Sequence, residues 1–165
     1  MTYSTRAPGV EDVDSLADLH VATWIETYAD RLPSGFFTPE FRERRRAMWE
    51  RIVDNAHGDR RVRIATFAGE VVGFAVAGPP RTEGSDGAHR ELYMIYVSRR
   101  HHGSGVGQTL LDEVLGADPA FLWVAEDNPR AQAFYRRNGF ALDGARTVDP
   151  ALPALPEVRM ARQPI

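Results

Sequence analysis

The sequence predicts a mixed α/β fold. Short runs of β-branched and aromatic residues alternate with segments of helical period, and their order is β-α-α-β-β-β-α-β-α-β-β. The second half holds a strand–helix–strand–helix unit. A length of 165 residues suits one domain over residues 1–165. A chain of about 150 residues buries roughly 70% of the surface it exposes when unfolded, which is enough for a real core.

The stretch "TYSTRAP" reads as the first strand, and Pro8-Gly9 ends it. Val13, Ala17, Val21, Trp24 and Tyr28 recur three to four residues apart, so residues 10–28 form an amphipathic helix. Gly9 with Asp12 supplies its start signal. "RLPSGFFTPE" is a loop. "FRERRRAMWERIVD", residues 41–54, is a second helix with Phe41, Met48, Trp49 and Ile52 inward. Residues 61–78 alternate, with Val62, Ile64 and Thr66 against arginine and alanine, and Gly69-Glu70 divides them into a hairpin. "PPRTEGSDGAHR" is a polar loop, and "ELYMIYV", residues 91–97, is a strand rich in β-formers. "GVGQTLLDEVLG" is a helix with Val106, Leu110, Leu111 and Val114 on one side. "FLWVA" is a strand. In "NPRAQAFYRRNG", Asn128 caps a helix, Pro129 suits its first position and Gly139 stops it. The tail adds two strands around a Pro-rich loop. There is no internal repeat.

The composition narrows the function. It is 43% hydrophobic and 26% charged, as in ordinary globular proteins. A net charge of -3 gives no basic footprint for nucleic acid. The absence of cysteine excludes disulfides, thiolate zinc sites and a cysteine nucleophile, and fits a reducing compartment. "MTYSTRAPGV" lacks the apolar core of a signal peptide, and no apolar run approaches the ~20 residues of a membrane helix. A cytoplasmic protein without membrane partners is expected. All 20 basic residues are arginine, which excludes a Walker-type loop with its lysine. Codon bias of a GC-rich genome is the favoured reason for the missing lysine, and resistance to self-modification at lysine side chains is the other reading.

The most informative stretch is "HHGSGVGQTLL", where Gly103, Gly105 and Gly107 precede a helix. The first turn of a helix leaves backbone N–H groups without partners, at the positive end of its dipole. Glycines let a phosphate approach those donors. The dinucleotide fingerprint fails here, because its third glycine falls on Gln108 or Leu110. Taken alone, the loop is equally a tight turn without a ligand.

In its wider setting, "ELYMIYVSRRHHGSGVGQTLLDEVL" resembles the acetyl-CoA-binding segment of the GNAT superfamily of N-acetyltransferases. That segment is an apolar strand ending in valine, a polar link, then Arg/Gln-Gly-x-Gly-x-Gly/Ala opening a helix. "LWVAEDNPRAQAFYRRNGF" resembles the family's second segment at its expected distance, and "APGVEDVDSLADLHVATWIETY" looks like its first helix. The resemblance implies a central mixed, mostly antiparallel, twisted sheet of about six or seven strands flanked by about four helices. His102 departs from the pattern, standing where arginine or glutamine is usual. A neutral imidazole can still donate one hydrogen bond. No metal is expected, since adjacent His101 and His102 point apart and no carboxylate shell is evident.

The resemblance also implies roles. Acetyl-CoA is the co-substrate. Ile95, Tyr96 and Val97 pair with the pantetheine arm, and an N–H near Val97 faces the thioester oxygen. His102, Gly103, Ser104, Gly105, Val106, Gly107 and Gln108 hold the pyrophosphate. Asn128 hydrogen-bonds the pantetheine arm, and Ala131, Phe134 and Tyr135 belong to the same binding set. Tyr135 is the general acid, since a phenol of pKa about 10 is protonated at neutral pH. The other reading of Tyr135 is a ring packed on the sheet. Glu91 is the candidate base, on the strand face of residues 91, 93, 95 and 97. Trp123 stands where some relatives have a glutamate, so a water-relayed base is the alternative. Trp24, Glu26, Tyr28 and Trp123 are the candidate acceptor-binding residues, with core packing an open reading for Trp123. Residues 1–40 are acidic and either steer a cationic amine or form a solvated helix face. The implied reaction is direct attack, in a ternary complex, by a primary amine of a small molecule or peptide. The alternative is a catalytically silent acetyl-CoA-binding regulatory module. A homodimer is compatible with the resemblance.

Overall fold

The computed structural model describes residues 2–55, 58–81 and 88–164. Most of the loop "RTEGSDGAHR", expected to bear on the acceptor, lies outside these residues. The strands are β1 (Ser4–Arg6), β2 (Arg61–Phe67), β3 (Glu70–Gly78), β4 (Arg90–Val97), β5 (Ala120–Ala125), β6 (Ala141–Thr147) and β7 (Glu157–Arg162). The helices are α1 (Val13–Tyr28), α2 (Pro39–Asp54), α3 (Val106–Leu115) and α4 (Pro129–Arg137). The seven strands form one sheet in the order β1-β2-β3-β4-β5-β7-β6. β1 runs antiparallel to β2, and β7 antiparallel to both β5 and β6. β4 and β5 are parallel, and their pairing covers only Arg90–Ala120, Glu91–Phe121 and Leu92–Leu122. This is the α/β architecture expected from the sequence.

The chain divides into two compact units, residues 1–76 with 94–116, and residues 77–93 with 117–165. In the first unit, Leu16, Trp49, Ile64, Phe74, Val76, Leu110, Leu111 and Leu115 are fully buried. Each such side chain contributes about 1.5–3 kcal/mol by leaving water. In the second, Phe121, Leu122 and Met160 form the centre.

Several local details differ from the sequence reading. Residues 10–12 form a 3-10 turn, and α1 proper starts at Val13. The start signal at Gly9 and Asp12 works in reverse: the Gly9 N–H donates to Asp12 Oδ2 at 2.8 Å. Arg6 grips both oxygens of the same carboxylate, at 2.7 and 2.8 Å. The buried stripe of α1 takes in Leu16, His20 and Thr23, leaving Val21 half-buried. α2 begins two residues early, because Thr38 accepts from the Phe41 N–H and Pro39 fits the first turn. Ala65, not Thr66, is buried on β2. The hairpin turns on Ala68 and Gly69, with φ of 52° and 84°, the pair of positive values that suits a two-residue turn.

Candidate active site

In the first unit, the end of β4 and the start of α3 are built as one piece. Ser98 N–H donates to Val72 O at 2.9 Å, fixing the strand end on β3. A side chain at Gly73 would stand 3.1 Å from Tyr96 O and 3.2 Å from both Leu110 Cδ1 and Val97 Cγ2. A side chain there would make its neighbours give by a few tenths of an ångström, so the glycine eases the close passage of β3. His102 Nε2 lies 2.8 Å from Val97 O, so the ring nitrogen donates to that carbonyl. The hydrogen bond expected to reach a ligand therefore braces the strand end. His101 turns the other way, with Tyr3 Oη 3.0 Å from its Nδ1. The described residues hold no group of three or more His, Cys, Asp or Glu placed to bind a metal ion.

The glycine loop follows. Gly103 and Gly105 have φ of 77° and 89°, a region that side chains strain to occupy, and a Cβ at either would meet nothing within 4 Å. Gly105 is the N-cap of α3, while Gly107 already lies within its first turn. Ser104 Oγ donates to His101 O at 2.6 Å, and the Val106 N–H reaches Ser104 Oγ at 3.4 Å. Among the described residues, the N–H groups of Gly103, Gly105 and Gly107 have no partner. The Gln108 side chain is tied to Asp112 Oδ1 at 2.8 Å.

The expected acceptor residues of this unit divide. Tyr28 is buried, its ring 5.1 Å from that of Trp24. Glu26 is exposed, and its Oε2 accepts from the Arg99 N–H at 3.1 Å. Its backbone carbonyl also accepts from Arg99 Nη2 at 2.9 Å, so it ties α1 to the link after β4. Trp24 lies in a ring cluster with Tyr28, Phe41 and His20. Arg45 stacks over it, with Cζ 5.2 Å from the Trp24 ring and 4.7 Å from that of Phe41. Burial holds the Arg45 guanidinium below its ordinary pKa. His20 is 3% exposed and accepts from Trp49 Nε1 at 3.3 Å through its Nδ1. Burial, with the Arg45 charge, pushes its pKa down to about 3, so the ring is neutral at working pH. The sequence reading missed Arg45. Its spacing of four from both Phe41 and Trp49 put it on the inner stripe, but the run "RERRR" reads as a solvated face.

In the second unit, Asn128 caps α4, its Oδ1 accepting from the Ala131 N–H at 3.1 Å. The cap leaves the side-chain NH2 as the end of Asn128 that can serve a ligand carbonyl. Gln132, not foreseen, donates to Ala125 O and Glu126 O, at 3.3 and 2.8 Å, and locks α4 to the end of β5. Tyr135 is 8% exposed, with its ring against Phe134 and Phe140. Gly139, with φ of 83°, turns the chain out of the helix as the sequence suggested.

Glu91 is 1% exposed, and its carboxylate is engaged on both sides. Oε2 accepts from the Arg81 N–H at 2.8 Å, and Oε1 from Arg81 Nη2 and Nε at 2.7 and 3.2 Å. The Arg81 guanidinium also covers the Tyr93 ring at 4.1 Å. Both oxygens of this carboxylate are thus committed to Arg81, which it anchors. Trp123 is half-buried, and Arg159 stands 5.7 Å above its ring. Nearby Glu157 has its pKa raised by burial, partly offset by the Arg81 charge.

The seven-stranded α/β sheet carries a glycine loop opening α3 and an Asn-capped α4, the two features on which the resemblance to acetyltransferases rests. A profile of the "Acetyltransferase (GNAT) family" matches residues 20–140, and the chain belongs to that family of acetyltransferases. Among its relatives is the uncharacterized N-acetyltransferase YuaI of Bacillus subtilis (strain 168). It is 31% identical over 136 residues, covering 76% of this chain and 73% of that protein. The uncharacterized N-acetyltransferase Rv2669 of Mycobacterium tuberculosis is 34% identical over 94 residues, 53% of this chain and 57% of its own length. The fold matches the PaiA N-acetyltransferase of Thermoplasma acidophilum, solved in complex with coenzyme A. The TM-score is 0.71, with 20% identity and 99% of each chain covered. It also matches histone acetyltransferase HPA2 and related acetyltransferase from Corynebacterium glutamicum, with a TM-score of 0.74, 21% identity, and coverage of 100% and 98%. No helix among the described residues is long and apolar enough to cross a membrane.

Proposed function

We propose that this acetyltransferase binds acetyl-CoA through residues 102–108 and transfers its acetyl group to a primary amine by direct attack in a ternary complex. The observation that carries the reading is the loop, where Gly103, Gly105 and Gly107 offer unpartnered N–H groups at the start of a ten-residue helix. The pyrophosphate of coenzyme A is the group of that co-substrate that suits such donors. The PaiA enzyme, of the same fold, was solved with coenzyme A.

The roles follow from the chemistry of the step. The end of β4 at Ile95, Tyr96 and Val97 receives the pantetheine arm as an added strand, with a backbone N–H polarising the thioester oxygen. Asn128 donates to the arm. The amine nitrogen attacks the thioester carbon, the C–S bond breaks, and the thiolate takes a proton from the Tyr135 phenol. The proton that the amine sheds leaves through water, because Arg81 occupies both oxygens of Glu91. No observation favours a silent binding module.

A thiol-release assay with acetyl-CoA and a panel of primary amines tests the reading. Turnover with at least one amine is expected. Tyr135→Phe lowers kcat by about 10²- to 10⁴-fold, as loss of a general acid does, while acetyl-CoA affinity is retained. Unchanged kcat in Tyr135→Phe removes the acid assignment, and release with no amine removes the reaction.

A further inference from the structure

Two buried hydrogen-bond donors in the first unit have no partner among the described residues, Trp24 Nε1 and Arg45 Nε. They belong to stacked side chains, since the Arg45 guanidinium lies over the Trp24 ring. Arg45 also lacks a carboxylate. Its neighbours Arg42 and Arg46 are each paired with acidic groups, at 2.6 to 3.5 Å. The hydrogen bond recorded for the Arg45 guanidinium runs from Nη1 to Met48 Sδ at 3.9 Å, a weak acceptor. The rings beneath and beside it offset part of the desolvation of this cation, but supply no hydrogen-bond acceptor. His20 is neutral there, and its Nδ1 is already taken by Trp49. A half-buried cation beside an orphaned indole N–H, with no anion among the described residues, is an incomplete arrangement.

We propose that a carboxylate on the acceptor completes it, so that the enzyme acetylates amines that also carry a carboxylate, amino acids foremost. A carboxylate brings two acceptor oxygens for the two kinds of donor left here, the guanidinium and the indole N–H. The surrounding rings of Trp24, Phe41 and Tyr96 suit an apolar or aromatic side chain. The site lies on the side of the proposed thioester position, because Tyr96 precedes Val97 and its ring is 5.4 Å from that of His20, itself 6.4 Å from Trp24. Entry requires a shift of the rings above it. Phe36 and Phe37 rest on Phe41 and belong to residues 29–38, which form no helix or strand. The site differs from the expected cation-seeking pocket, because the charge that Arg45 offers the acceptor is positive. The inference rests on the proposed acetyl transfer for its meaning, but the site can be tested without turnover.

The test is direct binding to the coenzyme A-saturated protein, followed by tryptophan fluorescence and calorimetry. The probes are phenylalanine, leucine and methionine, each against its amide. Wild type should bind at least one amino acid about ten- to a hundredfold more tightly than its amide, the range for a charge-assisted hydrogen bond. Arg45→Gln should erase that preference, while Trp24→Phe, which removes the indole N–H and shortens the ring system but keeps an aromatic face, should weaken it. An unchanged heat of acetyl-CoA binding verifies that each variant is folded. Equal affinity for acid and amide in wild type, a preference that survives Arg45→Gln, or binding of none of the three amino acids overturns the proposal. Carboxylate-selective binding without thiol release from acetyl-CoA would instead sink the proposed reaction and leave the site standing.

Discussion

His20 makes acid stability a sharp test of the first unit's core. Its folded pKa of about 3 lies below the ordinary value of 6.5. In acid, the unfolded chain therefore binds a proton at this residue that the folded chain refuses. The contribution of His20 is fully present above the unfolded pKa and is lost as the pH falls towards the folded one. One such proton is worth about 1.4 kcal/mol per pH unit, so the fall from about pH 6.5 to about pH 4.5 costs roughly 2–3 kcal/mol. His20→Gln keeps an acceptor for the Trp49 indole and removes the titration. Urea unfolding of both proteins across that range is the assay. The other histidines and the carboxylates, including Glu157 whose raised pKa acts with opposite sign, are common to both and cancel in the difference. The wild type should lose roughly 2–3 kcal/mol more than the variant over these two pH units. Parallel losses, or an imidazole resonance of His20 titrating near its ordinary value, would refute the account.

Other outcomes follow from the same geometry. Glu91→Gln leaves Arg81 without its charge partner at a buried carboxyl position and should lower unfolding stability by about 1–3 kcal/mol, read by urea titration. It should leave the pH dependence of kcat/KM unshifted, whereas a moved acid limb with intact stability would restore Glu91 as a base. Gly73→Ala forces a methyl against Tyr96 O, Leu110 and Val97 and should cost about 1–3 kcal/mol in thermal or urea unfolding. Its affinity for acetyl-CoA should fall as well, since the strand end shifts. Asp12→Ala removes the acceptor of Gly9 and the partner of Arg6, a buried charged contact, and should destabilise the fold by about 2 kcal/mol or more.

The residues that announce themselves in the sequence are those whose role is local. Gly103, Gly105, Asn128 and Gly139 act within a turn or a cap, and their chemistry depends on neighbours a few positions away. The structure places each where its sequence context suggested. The four helices and the hairpin follow from apolar period and turn residues for the same reason. What the sequence could not disclose depends on partners far along the chain. Glu91 is held by Arg81, ten positions back, and Glu26 accepts from the Arg99 N–H, 73 positions on. Arg45 was hidden among arginines, and only its alignment between Phe41 and Trp49 betrays an inward position. The parallel β4–β5 pairing, three residues long, is a tertiary fact with no local signature.

The central claim is that backbone donors of the glycine loop hold the diphosphate of coenzyme A. Truncating the ligand tests it while leaving the protein untouched. Calorimetric titration with acetyl-CoA and with S-acetylpantetheine, which lacks the nucleotide and its diphosphate, should give affinities at least about a hundredfold apart, as expected when several charge-assisted hydrogen bonds are lost. Equal affinities, or no heat with acetyl-CoA, would contradict the account.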